Sequence, residues 1–100
     1  MKLADIQAKG LAKCLAAPGL VPDKVKIHIT EVEPGSRSHG AHTHAGTEGY
    51  YMLEGTATIE VEDERYPLKQ NEVAVIDASR PHGIFNSGAT RMRYIVIIAK

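Results

Sequence analysis

The sequence predicts an all-β domain, a barrel or double-sheet jelly roll, preceded by a short N-terminal arm or helix. Three observations predict it. Val25 to Glu31 and Thr56 to Glu62 alternate apolar and polar side chains, the two-residue period of a half-buried strand. Clusters of Gly, Pro, Asn, Asp and Ser recur at strand-length intervals. The last three quarters of the chain hold no long uninterrupted helical pattern. One hundred residues suffice for one core and not for two, so the expectation is a single domain, with 1–24 as arm and linker and 25–100 as the β-barrel.

Taken in order, residues 3 to 16 place Leu3, Ile6, Gly10 and Cys14, with Leu11 and Leu15, on a weak amphipathic-helix pattern that Gly10 weakens further. A helix and an arm lying over the barrel or over a partner both stay open. Pro18 to Asp23 is a turn-rich link. In the strand from Val25 to Glu31, His28 falls on the polar face, exposed or bonded to a neighbouring strand. Glu33-Pro34-Gly35-Ser36 turns the chain. Beyond Glu48, alternation puts Tyr50 and Met52 on one face and Tyr51 and Leu53 on the other. Ala57, Ile59 and Val61 share a face of the next strand. Asp63-Glu64 is the expected hairpin turn, and Pro67 assigns the following strand to an edge or a strand start. Val73 to Ile76 reads as a short buried strand, and Ser87 to Thr90 as a turn. Met92 to Ala99 is apolar on both faces beyond Arg93, as in an internal strand of a sandwich or a subunit contact.

Coordination chemistry concentrates at residues 42 to 55. His42 and His44, two residues apart, point the same way in an extended chain and can share one ion. Ala45-Gly46-Thr47 is small and turn-prone, so the carboxylate of Glu48 can swing toward the two rings. Two imidazoles and a carboxylate facing one point suit Fe(II), Mn(II), Ni(II), Co(II) or Zn(II), and the donor set does not choose among them. His39 lies on the opposite face of a regular strand, beside the ligands or toward solvent.

Further along, Asn71 to Asn86 contains His82 and Asn86 at a suggestive offset. The two stretches together resemble the cupin superfamily, whose first motif is Gly, five residues, His-x-His, three or four residues, Glu, six residues, Gly. Its second motif is Gly, five residues, Pro-x-Gly, two residues, His, three residues, Asn. His42, His44, Glu48 and Gly55 fall at the spacing of the first motif, and His82 and Asn86 at that of the second. Departures touch turns: Gly35 stands one residue early, and Asn71, Asp77 and Ser79 replace Gly, Pro and Gly. Asn tolerates the left-handed conformation, and Asp and Ser close turns through their own side chains. The resemblance, over roughly residues 25 to 99, implies a cupin barrel (a double-stranded β-helix) holding one divalent metal on His42, His44, Glu48 and His82. It also implies that Asn86 anchors its turn and that Lys13 to Ala17 forms a short edge strand.

Composition excludes other classes. Twelve basic and twelve acidic residues cancel to zero net charge, so no nucleic-acid partner is expected. No apolar run of about 18 residues exists and the first residues lack a signal-peptide pattern, so neither membrane insertion nor export is expected and the chain reads as cytoplasmic. The single Cys14 fits a reducing compartment and a small apolar packing role. Three imidazoles and a carboxylate leave one or two positions of an ion open to a guest, the mark of a catalytic site. The expected function is a metal-dependent enzyme acting on a small organic molecule, oxygenation by a dioxygenase ahead of isomerase or lyase chemistry. The alternative is a non-catalytic small-molecule sensor. Tyr50 could bind substrate through its hydroxyl or simply fill the core. Arg93, and beside it Arg91 and Arg37, could clamp a carboxylate or lie on the surface. Asp77 is placed to pair with Arg80. An exposed edge, the arm and the doubly apolar last strand predict a homodimer.

Overall fold

The computed structural model describes residues 2–6, 10–18 and 24–100. Its strands are β1 (Ala4–Ile6), β2 (Cys14–Ala16), β3 (Val25–Val32), β4 (Thr47–Glu54), β5 (Ala57–Val61), β6 (Glu64–Leu68), β7 (Val73–Asp77), β8 (His82–Asn86) and β9 (Met92–Ala99). β1 and β2 pair as an antiparallel hairpin. The rest form two facing sheets, one ordered β3-β9-β4-β7 and the other β6-β5-β8, as a double-stranded β-helix.

The helical alternative for residues 3 to 16 is not realised in the described residues, where β1 and β2 stand instead. Gly10 explains it: its φ of +90° is left-handed, and a Cβ there would lie 2.1 Å from the Ile29 carbonyl oxygen. That approach lets the Leu11 amide donate to Ile29 O at 2.7 Å, joining the arm to β3. Of the linker Pro18 to Asp23, all but Pro18 lies outside the described residues.

The core fills the space between the sheets in layers. Met52 opposes Tyr94 in the β4–β9 register, and Ala57, Ile59 and Val61 come down from β5. Asn86 closes the end of the barrel away from His82. It is fully buried, its Nδ2 donates to the carbonyls of Val32 and Thr90 at 2.9 Å, and its Oδ1 accepts from the Gly88 amide at 3.0 Å. Asn71 takes φ +65°, the left-handed geometry expected of it. The β5–β6 turn falls at Glu62-Asp63, one residue before the predicted position, with Glu62 left-handed and Val61 facing Glu64. Pro67 does lie on an edge strand, β6.

Two strands turn a different face inward from the one their hydropathy suggests. On β3 the apolar Val25 and Ile27 are about half exposed while His28, Thr30 and Val32 face the interior. β7, expected to be buried, is an edge strand with Val73 and Val75 58% and 68% exposed. Cross-strand pairing lines these residues up. Ile27, Ile97, Gly49 and Val75 form one row across the outer face of the four-stranded sheet, and Ile29, Ile95, Tyr51 and Val73 form the next. β9 is therefore central in its sheet, and of its outward side chains Ile95 is partly buried while Ile97 is 41% exposed.

Candidate metal centre

The approach to β4 is less regular than the extended segment predicted for it. His42 makes one isolated bridge to His82, their backbones exchanging two hydrogen bonds of 3.0 Å, and residues directly opposed in this way share a face. The His44 amide donates to Ala78 O at 2.9 Å, and the Ala78 amide donates to Gly46 O at 3.0 Å. Gly46 makes the bend. Its φ is +98°, and a Cβ would lie 2.2 Å from the Ala99 carbonyl oxygen, so any other residue there would push the loop off β9. The bend sets Glu48 near the head of β4, pointing inward.

The donor atoms of His42, His44, Glu48 and His82 lie within 4.8 Å of one another. Glu48 Oε1 is 3.1 Å from His44 Nε2, and Oε2 is 3.0 Å from His82 Nε2. Two donors each about 2.1 Å from a common ion and at right angles to it are about 3.0 Å apart, so these separations suit neighbouring positions on one cation.

Protonation strengthens the fit. His82 Nδ1 lies 2.8 Å from the Arg80 carbonyl oxygen and His44 Nδ1 lies 3.1 Å from that of Ala45. A carbonyl only accepts, so each Nδ1 donates; His44 Nε2 also lies in hydrogen-bonding geometry with Glu48 Oε1 at 3.1 Å, while His82 Nε2 has no hydrogen-bond partner and presents its lone pair to the carboxylate. His82 Nε2 and Glu48 Oε2 thus bring two lone pairs together at 3.0 Å, in poor alignment for a hydrogen bond. His42 Nε2 is likewise buried without a hydrogen-bond partner. Lone pairs aimed at one point repel unless a proton or a metal cation lies among them, and buried polar atoms are seldom left unpaired.

Charge points the same way. Glu48 is 3% exposed, and among the described residues its ion-pair partners are His44 and His82. An anion buried without a cation is costly. The Tyr50 hydroxyl donates to Glu48 Oε2, and burial, reinforced by this bond, drives the Tyr50 pKa far above its ordinary value. Tyr50 is therefore a fixed donor behind the carboxylate. Burial, with His39 and His82 adding to it, holds the His42 imidazole below its ordinary pKa, which keeps its lone pair available.

His39 lies closer to the cluster than a regular strand would allow. Its ring stacks on His42 at 4.4 Å and 20°, because the chain before His42 is not in a strand. Arg93 is not brought to the cluster. Met92, Tyr94 and Val96 of β9 face inward, so Arg93 faces out, with its Nε 3.6 Å from Glu31 Oε1. Arg91 pairs with the same Glu31 at 3.2 Å, and Arg37 pairs with Glu60 at 2.6 Å and lies over the Phe85 ring. Asp77 accepts from the amide and hydroxyl of Ser79, while Arg80 crosses the hairpin end to Glu62 at 3.1 and 3.3 Å. The expected Asp77–Arg80 pair is therefore replaced by Arg80–Glu62.

A cavity of about 370 Å³ opens onto the cluster. Thr30, Ser38 and Tyr94 give it hydroxyls, Ile84, Val96 and Ile98 an apolar wall, and His28 and Gly10 also line it. Sequence reasoning missed most of this lining. The signal for it was the alternation of β9, which puts Tyr94, Val96 and Ile98 on one face, with Tyr94 opposite Thr30 in register.

A β-helix of this form with three inward imidazoles and one carboxylate at its mouth defines a barrel able to hold a divalent metal. A family model for the cupin domain matches residues 28–98, and the chain belongs to that family. An oxalate-binding protein from Thermotoga maritima is 33% identical over 69 residues, covering 68% of this chain and 56% of that protein's length, so the match spans little more than half of the relative. The crystal structure of a cupin superfamily protein from Desulfitobacterium hafniense is 25% identical with a TM-score of 0.71, covering 94% of this chain and 83% of that one. A predicted oxalate decarboxylase from Thermotoga maritima is 24% identical with a TM-score of 0.71, covering 97% and 90%, a likeness of fold.

Proposed function

We propose that this cupin binds one divalent transition metal through His42, His44, Glu48 and His82, and uses it as a metal-dependent enzyme on a small organic molecule, as a dioxygenase ahead of an isomerase or lyase. The observation that carries this reading is the convergence of the unpartnered Nε2 atoms of His42 and His82 on a buried carboxylate that, among the described residues, pairs with no lysine or arginine. When bound, the ion supplies a Lewis acid, and a redox centre as well if it is iron. The chain's own residues do the rest. Tyr50 holds Glu48 from behind, the carbonyls of Arg80 and Ala45 orient the rings of His82 and His44, and Ile84, Val96 and Ile98 offer a guest an apolar wall. Isomerase and lyase chemistry need a group to move a proton. Among the described residues, the titratable groups lining the cavity beyond the four ligands are His28, His39 and two tyrosines, Tyr50 and Tyr94, whose pKa values burial raises. His28 and His39 could serve that need, so the lining leaves isomerase and lyase chemistry open.

A second reading is a non-catalytic binding or sensing cupin, which the oxalate-binding relative supports. We also propose a cytoplasmic homodimer, with residues 1–24 as an arm on the 25–100 barrel; the apolar rows on the outer face of the four-stranded sheet support the pairing.

Metal analysis of anaerobically purified, untagged protein tests the reading, followed by O₂ uptake with diols, diketones and sugar acids. About one ion per chain is expected, lost in large part in His44→Ala and kept in His28→Ala. Full occupancy of His44→Ala would sink the ligand assignment. Substrate-dependent uptake supports the oxygenase, whereas metal with tight ligand binding and no turnover supports the sensor.

A further inference from the structure

We infer that Arg37, which stands outside the cavity, is a positioning residue for it: held by Glu60 and Phe85 on the outer face of the smaller sheet, it fixes a bulge that turns Ser38 and His39 inward as guest-facing groups. The inference takes the cavity as the guest site of the reading above and depends on no particular ion. The backbone pins the bulge at both ends. Before it, the Gly35 amide donates to Asn86 O and the Asn86 amide donates to Ser36 O, each at 3.0 Å, so that two residues stand against one, with Gly35 left-handed at φ +71°. After it, His42 and His82 exchange their pair of bonds. Five residues, 37–41, therefore run alongside three of β8, 83–85. The surplus has to leave the plane of the pairing, and the chain bends at Ser38 and His39. These end bonds set the length of the bulge but not the side to which it leans.

Arg37 decides the side. Glu60 and Gly83 stand opposite each other on β5 and β8, and Phe85, two residues on, shares their outward face. The guanidinium lies on that face, with Nη1 2.6 Å from Glu60 Oε1 in an ion pair rather than an aligned hydrogen bond, and with its central carbon 5.1 Å from the middle of the Phe85 ring. Gly83 leaves the room for it. A Cβ there would already touch Arg37 Nη1 at 3.6 Å and Ala41 Cα at 3.7 Å, so a longer side chain would lift the bulge off the sheet. With Arg37 held outside, the next two residues line the cavity: Ser38 Oγ lies 3.5 Å from Tyr94 OH, and the His39 ring stacks on His42 at 4.4 Å. His42 has its own anchor in the backbone bridge to His82. Arg37 thus acts on the lip of the cavity and not on the four ligands.

The test reads the proximity of the histidine rings by NMR in the metal-free protein and measures metal content separately. In the unaltered protein, nuclear Overhauser cross-peaks should link the His39 ring to His42, and the His42 ring to His82. Arg37→Ala should lose the His39–His42 cross-peaks, keep those between His42 and His82, and hold as much metal as before. Glu60→Gln keeps the shape of the partner and removes its charge; it should weaken the same cross-peaks, and it carries the test if Arg37→Ala does not fold. Arg37→Lys retains the charge but has no plane to lay on Phe85, and should fall between Arg37→Ala and the unaltered protein. Undiminished His39–His42 cross-peaks in a folded Arg37→Ala or Glu60→Gln would overturn the inference. So would the loss of all the histidine contacts together with the metal, the sign of a merely structural residue. An unaltered protein that takes up no metal yet shows these cross-peaks, and loses them in Arg37→Ala, would sink the metal reading and leave the positioning role of Arg37 standing.

Discussion

Glu48 sets the electrostatics of the cluster, being nearly inaccessible to solvent and facing two imidazoles and a phenol. Because the surrounding rings must be neutral to offer lone pairs, metal affinity depends on pH, and His42 decides part of that dependence. Its folded pKa lies below the ordinary 6.5, through burial first and the neighbouring histidines second. The imidazole is therefore neutral above that value and remains so somewhat below it, and affinity is lost as pH falls through the lowered folded pKa. Titration of the His42 ring resonances by NMR in the metal-free protein should give a midpoint below 6.5. A midpoint at or above 6.5 would contradict this account of His42.

At the scale of the element, the irregular strap from His42 to Gly46 and the turn closed by Asn86 hold the barrel mouth and base in place. Asn86→Ala removes one donor to each of two carbonyls and the acceptor for the Gly88 amide, in a fully buried position. Urea unfolding should show a loss of about 2–4 kcal/mol, the cost of several buried groups left unpaired; a change under about 0.5 kcal/mol would mean that solvent or a relaxed turn replaces those bonds. The two histidine motifs were legible in the sequence because a fixed offset survives any change in the intervening side chains. The orientation of β3 was not legible. Alternation separates Ile27 from His28 but does not say which side is inward, and here His28 and Thr30 line the cavity while Val25 and Ile27 stand on the outer face. Sequence proximity misled at Asp77 and Arg80, since a long guanidinium stem reaches Glu62 while Ser79 already caps the aspartate. The arm was ambiguous because three-residue strands carry almost no periodic signal.

For the whole molecule, the outer face of the four-stranded sheet is the feature that asks for a partner. Val25, Ile27, Val73, Val75 and Ile97 are each more than 40% exposed, on a chain of zero net charge that offers no long-range self-repulsion. A second copy packed face to face would bury both apolar rows. Light scattering after size exclusion should give twice the chain mass, and Ile27→Lys with Val75→Lys should give the single-chain mass with metal content retained. A lone monomer in the unaltered protein would remove the dimer.

One topological detail has a further result. β9 lies between β3 and β4, and its Ala99 carbonyl is the stop against which Gly46 bends. Without β9 the four-stranded sheet would fall into β3 on one side and the β4–β7 pair on the other, and Gly46 would lose the carbonyl against which it bends, so the placement of the first-motif histidines depends on a contact with a strand far along the chain.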